Sequence, residues 1–259
     1  MNSLIYQGLF FLFILLLLAV PLGWYIKEIM QGEIPKGVSF LQPVERLFYK
    51  AIGPISKKEM SAKRYALNVL LLSFFSIVLL IAILMTQHFL PGGSSVKNLT
   101  LPLAINTAVS YVTNTNWQAY VGETTLSNTS QMFGLTAQNF VSAGVGLSVL
   151  VALLRGLSQV KKKALGNFWQ DLTRSLVYIL LPISIILAVL LISQGTVQSF
   201  QSGVAYQGLE GKSLWLHLGP VASQVAIKQL GTNGGGFFGA NSAYPFAVSY
   251  THLRAHETR

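Results

Sequence analysis

The sequence predicts an all-α polytopic membrane protein, and three observations carry that prediction. Apolar residues make up 52% of the 259 positions and charged residues only 10%, against about 25% charged in an ordinary soluble domain. Charge is absent from Met1 to Ile26, Tyr65 to Val96, Thr124 to Leu154 and Ser175 to Leu209, and each gap exceeds the roughly 20 residues a helix needs to cross a bilayer. The cations are confined rather than spread, with eight between Lys27 and Arg64 and five between Arg155 and Arg174. The net charge of +10 therefore does not describe a nucleic-acid-binding surface. The absence of cysteine excludes disulfides, thiolate metal sites and thiol nucleophiles.

In chain order, residues 1–26 are expected to form the first transmembrane helix. Met1–Gly8 lacks the basic start of a cleavable signal, and the cations follow the apolar stretch instead of preceding it. Residues 27–64 form a basic loop, 65–155 a helix, a short pore helix with its filter, and a second helix. Residues 156–174 form another basic loop, and 175–246 a partial second copy of helix, pore helix and filter. Basic residues collect on the cytoplasmic side of membrane proteins, so both basic loops are cytoplasmic and the N-terminus is extracytoplasmic, as are the segments 91–130 and 195–230.

Several features have ordinary readings. The run Lys161–Lys163 suits an orientation signal or contact with anionic membrane lipid. Pro21 is expected to be a tolerated kink, and Asn68 and Gln87 to be interhelical or interfacial polar groups. The histidines 88, 217, 252 and 256 have no metal-ligand spacing, and the sequons at Asn98 and Asn128 are assigned no role.

An internal repeat is more informative. Pro102, Ala104 and Ala108 recur as Pro220, Ala222 and Ala226 at a shift of 118, and Val109 and Val112 match Ile227 and Leu230. Proline ahead of a short apolar run suits a helix start. Twelve residues after each proline comes a run of small and amide residues, Asn114-Thr115-Asn116-Trp117-Gln118 and Thr232-Asn233-Gly234-Gly235-Gly236. Neither short helix can span. Irregular backbone at membrane depth has to be enclosed by protein or line a watery path, so a pore is expected. The C-terminal end of a helix dipole favours a cation, and backbone carbonyls can replace its water shell, with glycine permitting the required dihedrals. The lack of a carboxylate points to a monovalent ion.

Residues 234–239 also satisfy G-x-G-x-x-G, but no βαβ unit or ribose-binding acid accompanies them, and no Walker lysine follows. Close helix packing would explain the glycines if the segment stood alone; its counterpart at Asn114–Gln118 favours a filter. A secondary cation transporter with broken helices is the alternative, distinguished by coupling to an ion gradient without an ATPase partner.

The segments Ala104–Gln118, Gly122–Ser127, Gly219–Gln224 and Gly231–Phe238 resemble the potassium-binding A subunit of the Kdp potassium-transporting P-type ATPase, a similarity running from about residue 4 to Phe246. The resemblance implies a relative of potassium channels: four membrane–pore–membrane repeats after an extra first helix, here one complete repeat and one partial. It implies that Asn114, Thr115 and Asn116 form one K+ filter strand and Thr232, Asn233 and Gly234 another, supported by Gln118, Gly235 and Gly236. It also implies a bacterial plasma-membrane complex in which a separate B subunit hydrolyses ATP and C and F subunits complete the assembly. Potassium would be captured from the extracytoplasmic side and would leave sideways towards the ATPase subunit. This chain would have no catalytic site of its own. With two of four filter strands, it is expected not to select potassium by itself. The polar segment 247–259 departs from the family and is expected to be a non-native tail.

Overall fold

A computed structural model of the chain describes residues 2–158, 164–208 and 210–241. The lysine run 161–163, Phe246 and the expected tail 247–259 lie outside the described residues. Among the described residues, four helical stretches are long and apolar enough to cross a membrane: Leu4–Gln31, Ala62–Phe89, Ser130–Ser158 and Phe168–Ser193. Among the described residues the regular structure is helical apart from one small hairpin and an isolated bridge between Ser61 and Ala164, as the hydropathy pattern predicts.

Helix α1 (Asn2–Gln31) continues through Pro21 and past Lys27. Its side chains from Leu4 to Trp24 are almost all exposed, as expected of a surface meant for lipid instead of water. Helix α2 (Gln42–Ile52) follows, with Pro43 in its first turn and Gly53 at its end in a left-handed conformation (φ 79°). Helix α3 (Ala62–Thr86) is the second crossing and α4 (Leu101–Val112) the first short helix, with Pro102 in its first turn. A four-residue turn, α5 (Gly122–Thr125), leads to the third crossing, whose π-helical start Ser130–Thr136 runs into α6 (Ala137–Ser158). The fourth crossing is α7 (Phe168–Arg174), a π-helical stretch Ser175–Leu180, and α8 (Leu181–Ser193). Outside it, β1 (Gly203–Gln207) pairs antiparallel with β2 (Ser213–His217), Gly203 opposite His217. The second short helix, α9 (Val221–Leu230), then begins after Pro220.

Each short helix packs on the crossing before it, α4 on α3 and α9 on α8. The repeated alanines explain the close approach: Ala104, Ala108, Ala222 and Ala226 are all fully buried. Asn68 and Gln87 are interhelical groups, as expected. Asn68 Oδ1 accepts from Trp169 Nε1 at 2.9 Å, and Gln87 Nε2 donates to the carbonyls of Lys97 and Thr125.

The fourth crossing begins seven residues ahead of the charge-free run, because its charges are paired. Arg155 makes two hydrogen bonds to Asp171, at 2.6 and 2.9 Å, and Tyr65 donates to the same carboxylate at 3.1 Å. The carbonyl of Met30, in the last turn of α1, accepts from both Arg155 and Arg174, so two cations sit at the negative end of that helix. Arg174 also lies 3.6 Å from Glu45 of α2, which accepts from Tyr49 and Tyr178 at 2.7 Å each. Burial, then the hydrogen bond to Glu45, raises the Tyr49 phenol above its usual range and keeps it a neutral donor.

Candidate functional site

The two short helices end in the same turn. In the first copy, Thr113 N–H donates to Val109 O at 3.0 Å, Asn114 N–H to Tyr111 O at 3.2 Å and Thr115 N–H to Ser110 O at 3.0 Å. In the second, Gly231 donates to Ile227 at 2.8 Å, Thr232 to Gln229 at 3.4 Å and Asn233 to Lys228 at 3.0 Å. Every donor and acceptor in one set is displaced by 118 positions from its equivalent in the other. Asn114 and Thr232, the matching residues, both adopt left-handed backbone conformations, with φ of 63° and 55°. A β-branched threonine in that region is strained, and such strain persists only where the surroundings over-determine it. The turn sends the chain away from the helix C-terminus, the end at which the helix dipole favours positive charge.

The strands that follow lie against each other. A Cβ on Gly234 would fall 2.3 Å from the Thr115 carbonyl oxygen, and one on Gly235 would fall 2.4 Å from the Asn116 oxygen. Glycine at these two places is what lets the second strand approach the carbonyls of the first. Asn114 is half-buried and Asn116 buried, whereas Thr115 is exposed; Thr232 and Gly234 are exposed on either side of buried Asn233. Gln118 holds the outer end: its Nε2 donates to Gly236 O and its Oε1 accepts from Gly236 N–H, both at 3.1 Å. All nine residues singled out in the sequence are therefore brought into one place.

The structure adds residues that sequence reasoning missed. On α6, Asn139 Oδ1 accepts from Asn116 Nδ2 at 2.5 Å, and Ser142 Oγ donates to Asn114 Oδ1 at 2.7 Å. Asn233 Nδ2 donates to Asn114 Oδ1 and, at 3.2 Å, to Asn116 Oδ1. These amides crosslink both strands to α6. Further out, Glu123 accepts from Gly239 N–H at 2.7 Å and Gln131 donates to Phe237 O at 3.0 Å, so first-repeat side chains hold the turn after the second strand. The available signal was the spacing of Asn139 and Ser142, polar residues three apart in a run without charge, which share a helix face.

Below the strands, a cavity of about 230 Å³ is lined by Asn114, Ser142, Leu147, Leu180, Gly231 and Thr232 among others. The geometry offers uncharged oxygens and among the described residues no group of three metal-ligating His, Cys, Asp or Glu side chains.

Residues 9–251 match the family described as KdpA, the potassium-transporting ATPase A subunit. The chain belongs to the KdpA family. Its relatives include the potassium-transporting ATPase potassium-binding subunit of Listeria monocytogenes, 54% identical over 257 residues, which covers 98% of this chain and 46% of the relative. The corresponding subunits of Clostridium botulinum and Clostridium perfringens are 49% and 48% identical over 255 residues, covering 95% of this chain and 44% of each relative. The chain thus spans less than half the length of these curated KdpA relatives. The KdpA match extends to residue 251, five residues past Phe246, where the resemblance was expected to end.

Proposed function

We propose that this chain forms the first part of a channel-like subunit that binds and translocates potassium for an ATP-driven uptake system. One observation carries the reading: two half-helices end in turns with the same hydrogen bonds and the same left-handed residue, and the strands after them meet carbonyl to glycine. Asn114, Thr115 and Asn116 supply one filter strand; Thr232, Asn233 and Gly234 supply the second; Gln118, Gly235 and Gly236 brace them. Main-chain oxygens replace the hydration shell of potassium, and helix C-termini behind them favour the cation without a carboxylate.

The relatives' names supply the wider setting. They describe a potassium-binding subunit of an ATPase; in the proposed setting ATP is cleaved by a partner, the B subunit, and C and F subunits complete a bacterial plasma-membrane complex. This chain contributes no catalytic group. The basic loops 27–64 and 156–174 face the cytoplasm and the N-terminus lies outside. Potassium enters from the extracytoplasmic side, passes residues 114–116 and 232–234, and leaves sideways towards the ATPase subunit.

The test is potassium uptake at limiting concentration by cells carrying the full-length subunit with its partners. Substitution at Thr232 or Asn116 is expected to raise the potassium concentration needed for half-maximal uptake while protein abundance is retained. Unchanged uptake with every one of the six strand residues replaced in turn would overturn the assignment, and uptake driven by an ion gradient without ATP would transfer the chain to the secondary transporters.

A further inference from the structure

We infer that α2 is an interfacial helix whose outer side binds the anionic phospholipid surface next to the basic loops. Its level relative to the membrane is fixed by what holds it. Glu45 reaches Arg174 and Tyr178 of the fourth crossing, and Val44 packs against the cluster that includes Ile29 and Met30, in the last turns of α1. The helix is therefore pinned where two crossings end.

Its surface divides into three sectors, as the 3.6-residue period requires. Glu45, Tyr49 and Ile52 are half-buried and face the protein. Val44, Leu47, Phe48 and Ala51 form a second, apolar sector, in which Val44 is half-buried against the protein and the others are exposed, Leu47 at 66% and Phe48 at 40%. Arg46 and Lys50, four residues apart and both exposed, form a third. Phe40 and Ile55, in the flanking turns, add exposed apolar surface.

A helix meant for water would not place leucine and phenylalanine outside, and a helix meant for the hydrocarbon core would not carry two cations. An apolar sector beside a cationic one is what the headgroup boundary selects: the apolar side chains enter the acyl region and the cations meet phosphate. The charge also fits its surroundings, since the segment from Lys27 to Arg64 contains eight basic residues. The occupant is thus a negatively charged lipid surface. This inference stands on the placement of α2 and does not require the filter assignment.

The chain contains no cysteine, so single nitroxide labels can be placed at Leu47→Cys, Ala51→Cys and Lys50→Cys, with Leu16→Cys on exposed α1 as a reference. The labelled 259-residue chain is reconstituted into vesicles of phosphatidylethanolamine and phosphatidylglycerol, and collisions with oxygen and with a water-soluble nickel chelate are compared. Labels at Leu47 and Ala51 are expected to favour oxygen several-fold, as at Leu16, and the label at Lys50 to favour nickel. Adding R46Q and K50Q is expected to shift Leu47 towards nickel in these vesicles but not in pure phosphatidylcholine. Nickel dominating at Leu47 and Ala51 while Leu16 reports oxygen would overturn the proposal, as would exclusion of both reagents, which would mean that protein covers this face. A charge-removed variant with no shift would overturn the anionic requirement. Loss of the oxygen preference at Leu16 as well would instead overturn the membrane placement of the whole chain.

Discussion

The side-chain amide of Gln118 forms two hydrogen bonds, both 3.1 Å long, with the backbone of Gly236, the residue 118 positions later that is its own counterpart in the repeat. One copy has a long amide where the other has a glycine, and a Cβ on that glycine would fall 2.5 Å from Asn241 Oδ1. The pair joins the outer ends of the two strands. Gln118→Leu removes both bonds and strands a buried N–H and C=O, at a cost of about 1–3 kcal/mol for each group left unsatisfied. The expected outcome is weaker potassium binding by the full-length subunit, measured as a rise in the potassium concentration giving half-maximal uptake.

Gly234 has no room for any side chain. Its added Cβ would lie 2.3 Å from the Thr115 carbonyl oxygen, which is main chain and cannot rotate aside. Gly234→Ala is expected to push the two strands apart, at an overpacking cost of about 1–3 kcal/mol, near a tenfold loss of potassium affinity. Gly234→Asp adds a carboxylate to the same collision and is expected to alter selectivity as well, read from uptake in competing sodium or rubidium. Potassium uptake by the Asp variant equal to that of the parent would remove Gly234 from the ion path.

Asn139 accepts from the side chain of Asn116, in the first proposed filter strand, and is proposed as a positioning residue. Asn139→Leu leaves the Asn116 amide without its acceptor in a buried site, with a penalty of about 1–3 kcal/mol. The expected signature is a reduced preference for potassium over sodium with little change in maximal rate, because the strand is displaced while the route stays open. A variant that loses rate and keeps its ion preference would show Asn139 to be a general packing residue.

The pairing of Arg155 with Asp171, whose side chain is 2% exposed, makes a prediction about stability and not transport. Removing one partner from a buried ion pair costs roughly 3–5 kcal/mol because the other charge is left without compensation. Asp171→Leu and Arg155→Leu alone are each expected to lower the thermal midpoint of the detergent-solubilised chain. The double variant is expected to be less damaged than either single one, since no buried charge remains. Additive losses would contradict this account.

The repeat was legible because its two copies share proline and alanine positions at one spacing, each followed by a run of small and amide residues; the roles of the nine candidate residues within those runs came from the resemblance to the Kdp A subunit. The bracing side chains were not legible in the same way. Asn139 and Ser142 belong to the third crossing, and no spacing along the chain indicates that this helix face passes behind the strands. The fourth crossing shows a second kind of blind spot. Charge alone placed its start at Ser175, whereas the helix begins at Phe168, because Asp171 is neutralised by Arg155 from another helix. The hairpin Gly203–His217 falls in the segment 195–230, for which no strand was expected.

Sequence by itself determined that the chain is mostly helical, that four of its stretches among the described residues are long and apolar enough to cross a membrane, and where its short helices stop, since those properties follow from transferring each segment between water and lipid and from the local effect of proline and glycine. Tertiary structure alone decided which oxygens face which glycines, which amides tie the strands to α6, and which charges are cancelled inside the protein. Those outcomes depend on contacts between residues on different elements, from 16 positions apart for Arg155 and Asp171 to 119 for Asn114 and Asn233, and the free energy of such a contact is not a property of either residue.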